Sequence, residues 1–287
     1  MYFKFLFMII QRMYSSPKAL TFVFLLTVLI PAKDLSGHLL MYSHGYIAFA
    51  PYINGKVTGE GFWPGYRADF TTNIDLFQIG HSIVYGTVGN TTLISVSETD
   101  IFTLNKIRYN LSANVRYEFE NLLLKGSLYR GSIHKIGAFE EGTPIWWNSI
   151  QLGVGTPGAY YLYLRDEYKM RENTLINSWD AQINIGTFIN PTGNAFSGIN
   201  HHYKYELFSL LRYQIGVYNK WASFIGVNHN IWLLRDSSTE YKISATINLF
   251  RKGVVNFAGF YYTYVFYDSY TPDNEHKMGS LGLRIIF

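Results

Sequence analysis

After residue 37 helical periodicity fades, and apolar and polar residues alternate in runs of about ten. In "RYNLSANVRYEF" (108 to 119) Tyr109, Leu111, Ala113, Val115, Tyr117 and Phe119 alternate with Arg108, Asn110, Ser112, Asn114, Arg116 and Glu118. "WDAQINIGTF" (179 to 188) sets Asp180, Gln182 and Asn184 against Trp179, Ala181, Ile183 and Ile185. "EYKISATINLF" (240 to 250) repeats the pattern with Lys242, Ser244, Thr246 and Asn248 on one face. A period of two with one polar face predicts strands, and about ten residues is the length a tilted strand needs to cross a bilayer.

Turn signals cut the chain into a rhythm of short and long joins. Short joins fall at Glu120-Asn121, Tyr218-Asn219-Lys220 and Arg251-Lys252-Gly253. Longer polar segments fall at 98 to 107, 137 to 154, 189 to 201 and 269 to 277. Short turns at one end and long loops at the other are the asymmetry of a membrane barrel. Strands are predicted at 278 to 287, 254 to 268, 239 to 250, 221 to 234, 202 to 217, 174 to 188, 155 to 168, 122 to 136, 108 to 119 and 91 to 98. A further pair is predicted within 43 to 53 and 66 to 88. The fold class is therefore all-β, a closed antiparallel up-and-down transmembrane barrel of 12 strands, with 10 as the alternative count. Residues 38 to 287 form its single domain, and 38 to 67 are the least readable part.

Composition narrows the surroundings of such a barrel. Charged residues are only 15% of the chain and aromatic residues 18%, with Tyr 24 and Trp 6 suited to a membrane interface. After residue 37 no apolar run reaches the ~18 residues of a spanning helix, so strands must do the crossing. Cysteine is absent, which excludes disulfides, thiolate chemistry and Cys-type zinc sites. Three of the four net positive charges reside in the N-terminus, where Lys4, Arg12, Lys18 and Lys33 face only Asp34. The remainder is balanced, so no nucleic-acid partner is expected. Lys18, the apolar "ALTFVFLLTVLI" (19 to 30) and the small residues that follow read as an export signal over 1 to 37, with initiation at Met13 or a retained anchor helix as variants.

The last ten residues, "MGSLGLRIIF", place Leu281, Leu283 and Ile285 at alternate positions and end in Phe287. This resembles the terminal strand of bacterial outer-membrane β-barrel proteins. The resemblance implies location in the bacterial outer membrane, outer-membrane lipids as neighbours, and Phe287 as a signal to the barrel assembly machinery. The chain is expected as a monomer without cofactor or metal.

With apolar faces toward lipid, Arg108, Arg116, Glu118, Lys204, Glu206 and Lys242 line the lumen, together with Asn114, Asn184, Asn248 and Arg284. Both signs of charge are present, which predicts pairing across a small lumen and sets a salt-bridge network against a conducting path. Parity of 174 to 188 and 202 to 217 permits registers that place Asp180 opposite or diagonal to Arg212, predicting an inward ion pair.

Other motifs carry less. "GVGTPG" (153 to 158) precedes strand-like residues and has no helix to receive a phosphate, so it reads as a turn. His201-His202 reads as loop, and Glu140-Glu141 and Asp166-Glu167 point to opposite faces if extended. Counting from the Glu120-Asn121 turn puts Leu122, Leu124, Leu128, Arg130, Ser132 and His134 on the lipid face. Ser132 lies roughly 25 Å above Leu122, at the outer rim. That placement is similar to the lipid-facing Ser and His of outer-membrane phospholipase A and lipid A deacylases, and it implies Ser132 as nucleophile and His134 as base. Those families carry His before Ser, whereas here Ser132 precedes His134 and Lys135 follows; Glu140, Glu141 and Asn148 are candidate orienting groups. The primary expectation is a small channel or structural barrel with surface loops. The alternative is a lipid-active acyl hydrolase using Ser132 and His134.

Overall fold

The computed structural model describes residues 37–54, 63–96, 103–119, 122–135, 145–156, 178–189, 203–218, 221–252, 257–269 and 275–287. They form a closed antiparallel barrel of 12 strands in which sequence neighbours pair throughout and β12 returns to β1. The strands are β1 (Gly37–Asn54), β2 (Trp63–Ile79), β3 (Ser82–Val96), β4 (Thr103–Phe119), β5 (Leu122–Lys135) and β6 (Ile145–Gly155). They continue as β7 (Ser178–Phe188), β8 (Tyr203–Tyr218), β9 (Trp221–Leu234), β10 (Thr239–Lys252), β11 (Phe257–Asp268) and β12 (Gly279–Ile286). The export signal predicted over 1 to 37 lies outside the described residues, apart from Gly37.

The strand count agrees with the alternation, but several boundaries do not: the segment 98 to 107, read as a loop, holds the start of β4 from Thr103. Residues 137 to 154, read as one outer loop, contain most of β6, because "IWWNSIQLGVG" sets two tryptophans side by side and breaks the period of two. The strand read at 155 to 168 lies outside the described residues beyond Thr156. On the N-terminal side, 66 to 88 holds the end of one long strand and the start of another, and β3 absorbs the strand read at 91 to 98. They turn at Gly80-His81, where Gly80 adopts φ 54, a left-handed conformation that costs glycine little.

Closure removes every sheet edge, which lipid requires because each unpaired backbone group there costs several kcal/mol. The seam joins Tyr46 to Ile286 and Phe49 to Leu283 in register. It ends where Gly45 and Phe287 exchange backbone hydrogen bonds of 2.8 and 3.0 Å. Along the strands the exposed residues are apolar: Ile47 and Phe49 on β1, Leu111 on β4, Ile183 and Ile185 on β7, Leu281 and Leu283 on β12. The alternate positions are buried and largely polar, including Asn114, Arg116, Asp180, Arg212 and Asn248. An apolar outside around a polar inside is the reverse of a soluble barrel and matches one immersed in lipid.

Candidate functional site

The inward faces carry most of the barrel's buried polar side chains among the described residues. Arg116 on β4 reaches past β3 to Asp75 on β2, with Nη1 and Nη2 donating to the two carboxylate oxygens at 2.9 and 2.7 Å. Its Nε donates to Glu118 at 3.3 Å. Bidentate geometry suits a planar guanidinium, and both partners are under 9% exposed, so the pair is screened little by water. Asp180 stands directly opposite Arg212 in the β7–β8 ladder. Arg212 Nη2 and Nε lie 2.5 and 3.2 Å from Asp180 Oδ2, and Thr156 donates to the other oxygen at 2.9 Å. Between these pairs and the far end, Asn114 donates to Thr87 and Ser112, and Thr87 donates to Asn73.

At the end of the barrel opposite Phe287, a charged cluster spans β10, β11, β1 and β2. Glu275, carried by the β11–β12 connection, accepts from Tyr52 at 2.8 Å, from Arg67 at 3.2 Å and from Lys242 at 2.5 Å. Lys242 also lies 3.3 Å from Asp268, and Arg67 donates to Asp69 at 2.8 Å. The other side of the same end is apolar: Ile133, Trp147, Phe188, Tyr203 and Leu234 pack together with Tyr129 and Trp232 against them.

The expected lumen residues are distributed as follows. Arg116, Glu118, Asp180, Arg212 and Lys242 lie within these ion pairs. Arg108 faces inward, its guanidinium 6.0 Å from the Trp147 ring. Glu206 accepts from Gln151 at 2.8 Å. Lys204 departs from the expectation: a bulge between Tyr203 and Tyr205 turns it out, and its ammonium lies 5.1 Å from the exposed Tyr205 ring. Arg284 is held between Tyr46 and Tyr261, at 4.9 and 4.2 Å from the ring centres, and donates to Asn248. Tyr52, Arg67, Asp69 and Glu275 were missed by the sequence reading. Their one sequence signal is the inward parity of Arg67, Asp69, Asn73 and Asp75, obscured by a bulge between Asp75 and Phe77.

Ser132 and His134 share the outward face of β5. Ser132 stands opposite Tyr109 and Trp146 on the flanking strands, and His134 opposite Ile107. The His134 ring meets Tyr109 edge-on, with centres 5.6 Å apart. Asn148 faces outward across from Arg130, one diagonal step from Ser132. Among the described residues no hydrogen bond joins Ser132 to His134. Glu140 and Glu141 lie outside the described residues.

A scan against protein-family models gives no match, and a search of curated proteins finds no relative. Solved structures are similar in fold. The outer membrane phospholipase of Salmonella typhi, a dimer with bound calcium, superposes with a TM-score of 0.50 at 8% identity, covering 90% of this chain and 95% of that one. An active-site mutant of outer membrane phospholipase A from Escherichia coli gives 0.50 at 7% identity, with coverages of 90% and 95%. OmpT, an outer membrane protein of Vibrio cholerae, gives 0.39 at 8%, with coverages of 88% and 99%. The fold is thus that of bacterial outer-membrane β-barrels.

Proposed function

We propose that this protein is a bacterial outer-membrane barrel whose lumen is closed by its own paired side chains, a structural barrel presenting loops rather than an open pore. The observation that carries the reading is the burial of Asp75–Arg116 and Asp180–Arg212, whose side chains are all 4 to 8% exposed. A wide aqueous channel would hydrate such charges, whereas here they neutralise one another within a packed interior. The terminal Phe287 serves in this reading as the mark by which the assembly machinery takes up the last strand, and outer-membrane lipids surround a single copy. Planar-bilayer recording tests the proposal. The intact protein is expected to give little or no steady conductance, and a large open-channel current would overturn it.

A second reading, hydrolysis of lipid acyl esters, is favoured by one observation: Ser132, His134 and Asn148 share a lipid-facing patch on adjacent strands. It requires the His134 ring to leave Tyr109 and accept the Ser132 proton. Fatty-acid release from phospholipid or lipid A, abolished by Ser132→Ala, would establish it.

A further inference from the structure

Six described inward carboxylates, those of Asp69, Asp75, Glu118, Asp180, Asp268 and Glu275, each have an Arg or Lys nitrogen within 3.3 Å. Glu206 differs. Its hydrogen bonds come from Gln151 Nε2, at 2.8 Å, and the Ser149 hydroxyl, both neutral, and among the described residues no cation pairs with it. The lumen's converse case, Arg284, has two tyrosine rings and an amide oxygen to face its charge.

Beside the Glu206 carboxylate is a cavity of about 50 Å³ lined by Gln151, Asn184, Gly186, Asn230 and Trp232. That is room for an ion with a water or two. Gly186 preserves the arrangement: a Cβ there would stand 2.6 Å from Glu206 Oε1 and 3.1 Å from Gln151 Cγ. The lining offers a carboxylate, three side-chain amides and an indole. Carboxylate and amide oxygens are ligands for hard cations, and an indole is the aromatic group that attracts cations best. Neutral donors soften the cost of a partly buried negative charge without cancelling it, so a positive ion in the cavity would be held by a charge that no described residue matches.

We propose that Glu206 and this cavity form a cation site inside the barrel, taking one monovalent metal ion of sodium or potassium size. A single carboxylate among the described lining residues matches one positive charge, whereas a divalent ion would leave an excess. The inference stands whether or not the barrel conducts, because occupancy is read on the closed protein.

Sodium-23 NMR on the folded barrel in detergent, titrated with sodium chloride in a choline chloride background, tests it. Saturable line broadening that potassium reverses is expected, with at least tenfold weaker binding in Glu206→Gln and no change in Ser132→Ala. Should Glu206→Gln fail to fold, Asn230→Leu removes one oxygen ligand and is expected to weaken binding in the same direction. Absence of broadening in the native protein, native-like broadening in Glu206→Gln or Asn230→Leu, or displacement of sodium by far lower concentrations of calcium would overturn the proposal.

Discussion

The barrel end opposite Phe287 is filled in two different ways. Across β5 to β9, Trp147 and its neighbours make an apolar cluster, with Trp147 lying so close over Gly131 that a Cβ there would stand 2.3 Å from the indole. Across β10 to β2, Arg67, Lys242 and Tyr52 converge on Glu275. The apolar half gains from removing surface from water, at roughly 25 cal/mol per Å². The charged half gains little net from each pair, because desolvation offsets attraction, and it depends instead on every partner being present. One side therefore loses stability in proportion to lost volume, and the other in proportion to the buried polar groups left incompletely paired.

Truncating the apolar half should cost most. Trp147→Ala removes the ring at the cluster's centre and is expected to lower unfolding free energy by about 3–5 kcal/mol. Urea unfolding in detergent, followed by tryptophan fluorescence and heat-modifiable gel mobility, measures it. A loss under about 1 kcal/mol would mean that the neighbours collapse into the space.

Glu275→Gln tests the charged half. Arg67 keeps Asp69 and Lys242 keeps Asp268, so the expected loss is about 1–3 kcal/mol, the cost of incompletely satisfied buried donors. The more telling readout is conductance, since this residue ties the β11–β12 connection across the mouth. Brief openings in the variant, absent from the native protein, would show that the charged half closes the lumen.

Ionic strength separates the halves without mutation. Arg67 is 30% exposed, so raising salt from about 0.05 to 0.5 M should weaken its pairs by a few tenths of a kcal/mol. The effect should shrink in Glu275→Gln, where Arg67 keeps only Asp69, while Trp147→Ala should retain it in full. An equal salt response in all three would remove the electrostatic distinction.

Smallest of all should be Ser132→Ala, on the lipid face away from both clusters. A change within about ±0.5 kcal/mol is expected. A larger loss would mean that Ser132 is tied into structure and would weaken the hydrolase reading.

What can be read from the sequence follows how strictly each strand alternates. In β7 and β8 both strands keep parity through the region of Asp180 and Arg212, so a facing pair is legible from residue spacing alone. Arg116 is legible as inward, but its carboxylate is Asp75, two strands away, and pairing rules that consider adjacent strands cannot supply it. Glu275 lies in a connection rather than a strand, where periodicity carries no information. Lys204 escapes the parity rule because a bulge inserts a residue and flips the face. The adjacent tryptophans hide β6 because Trp147, an apolar residue, is buried on the face that alternation reads as polar. At the rim, parity places Ser132 and His134 on one face, whereas the Tyr109 contact depends on rotamers that spacing does not determine.

The seam between β1 and β12 has a consequence for the order of events during folding. Every other neighbouring pair is consecutive along the chain, while this one brings the two extremes of the described barrel together, the most expensive loop to close. It is also tight: at Gly282 a Cβ would fall 2.2 Å from the Phe49 carbonyl oxygen. Local hairpins can zip as they emerge, but the cylinder exists only once the bare backbone of Gly282 settles against β1. Closing this seam is therefore expected to be the slow step of assembly.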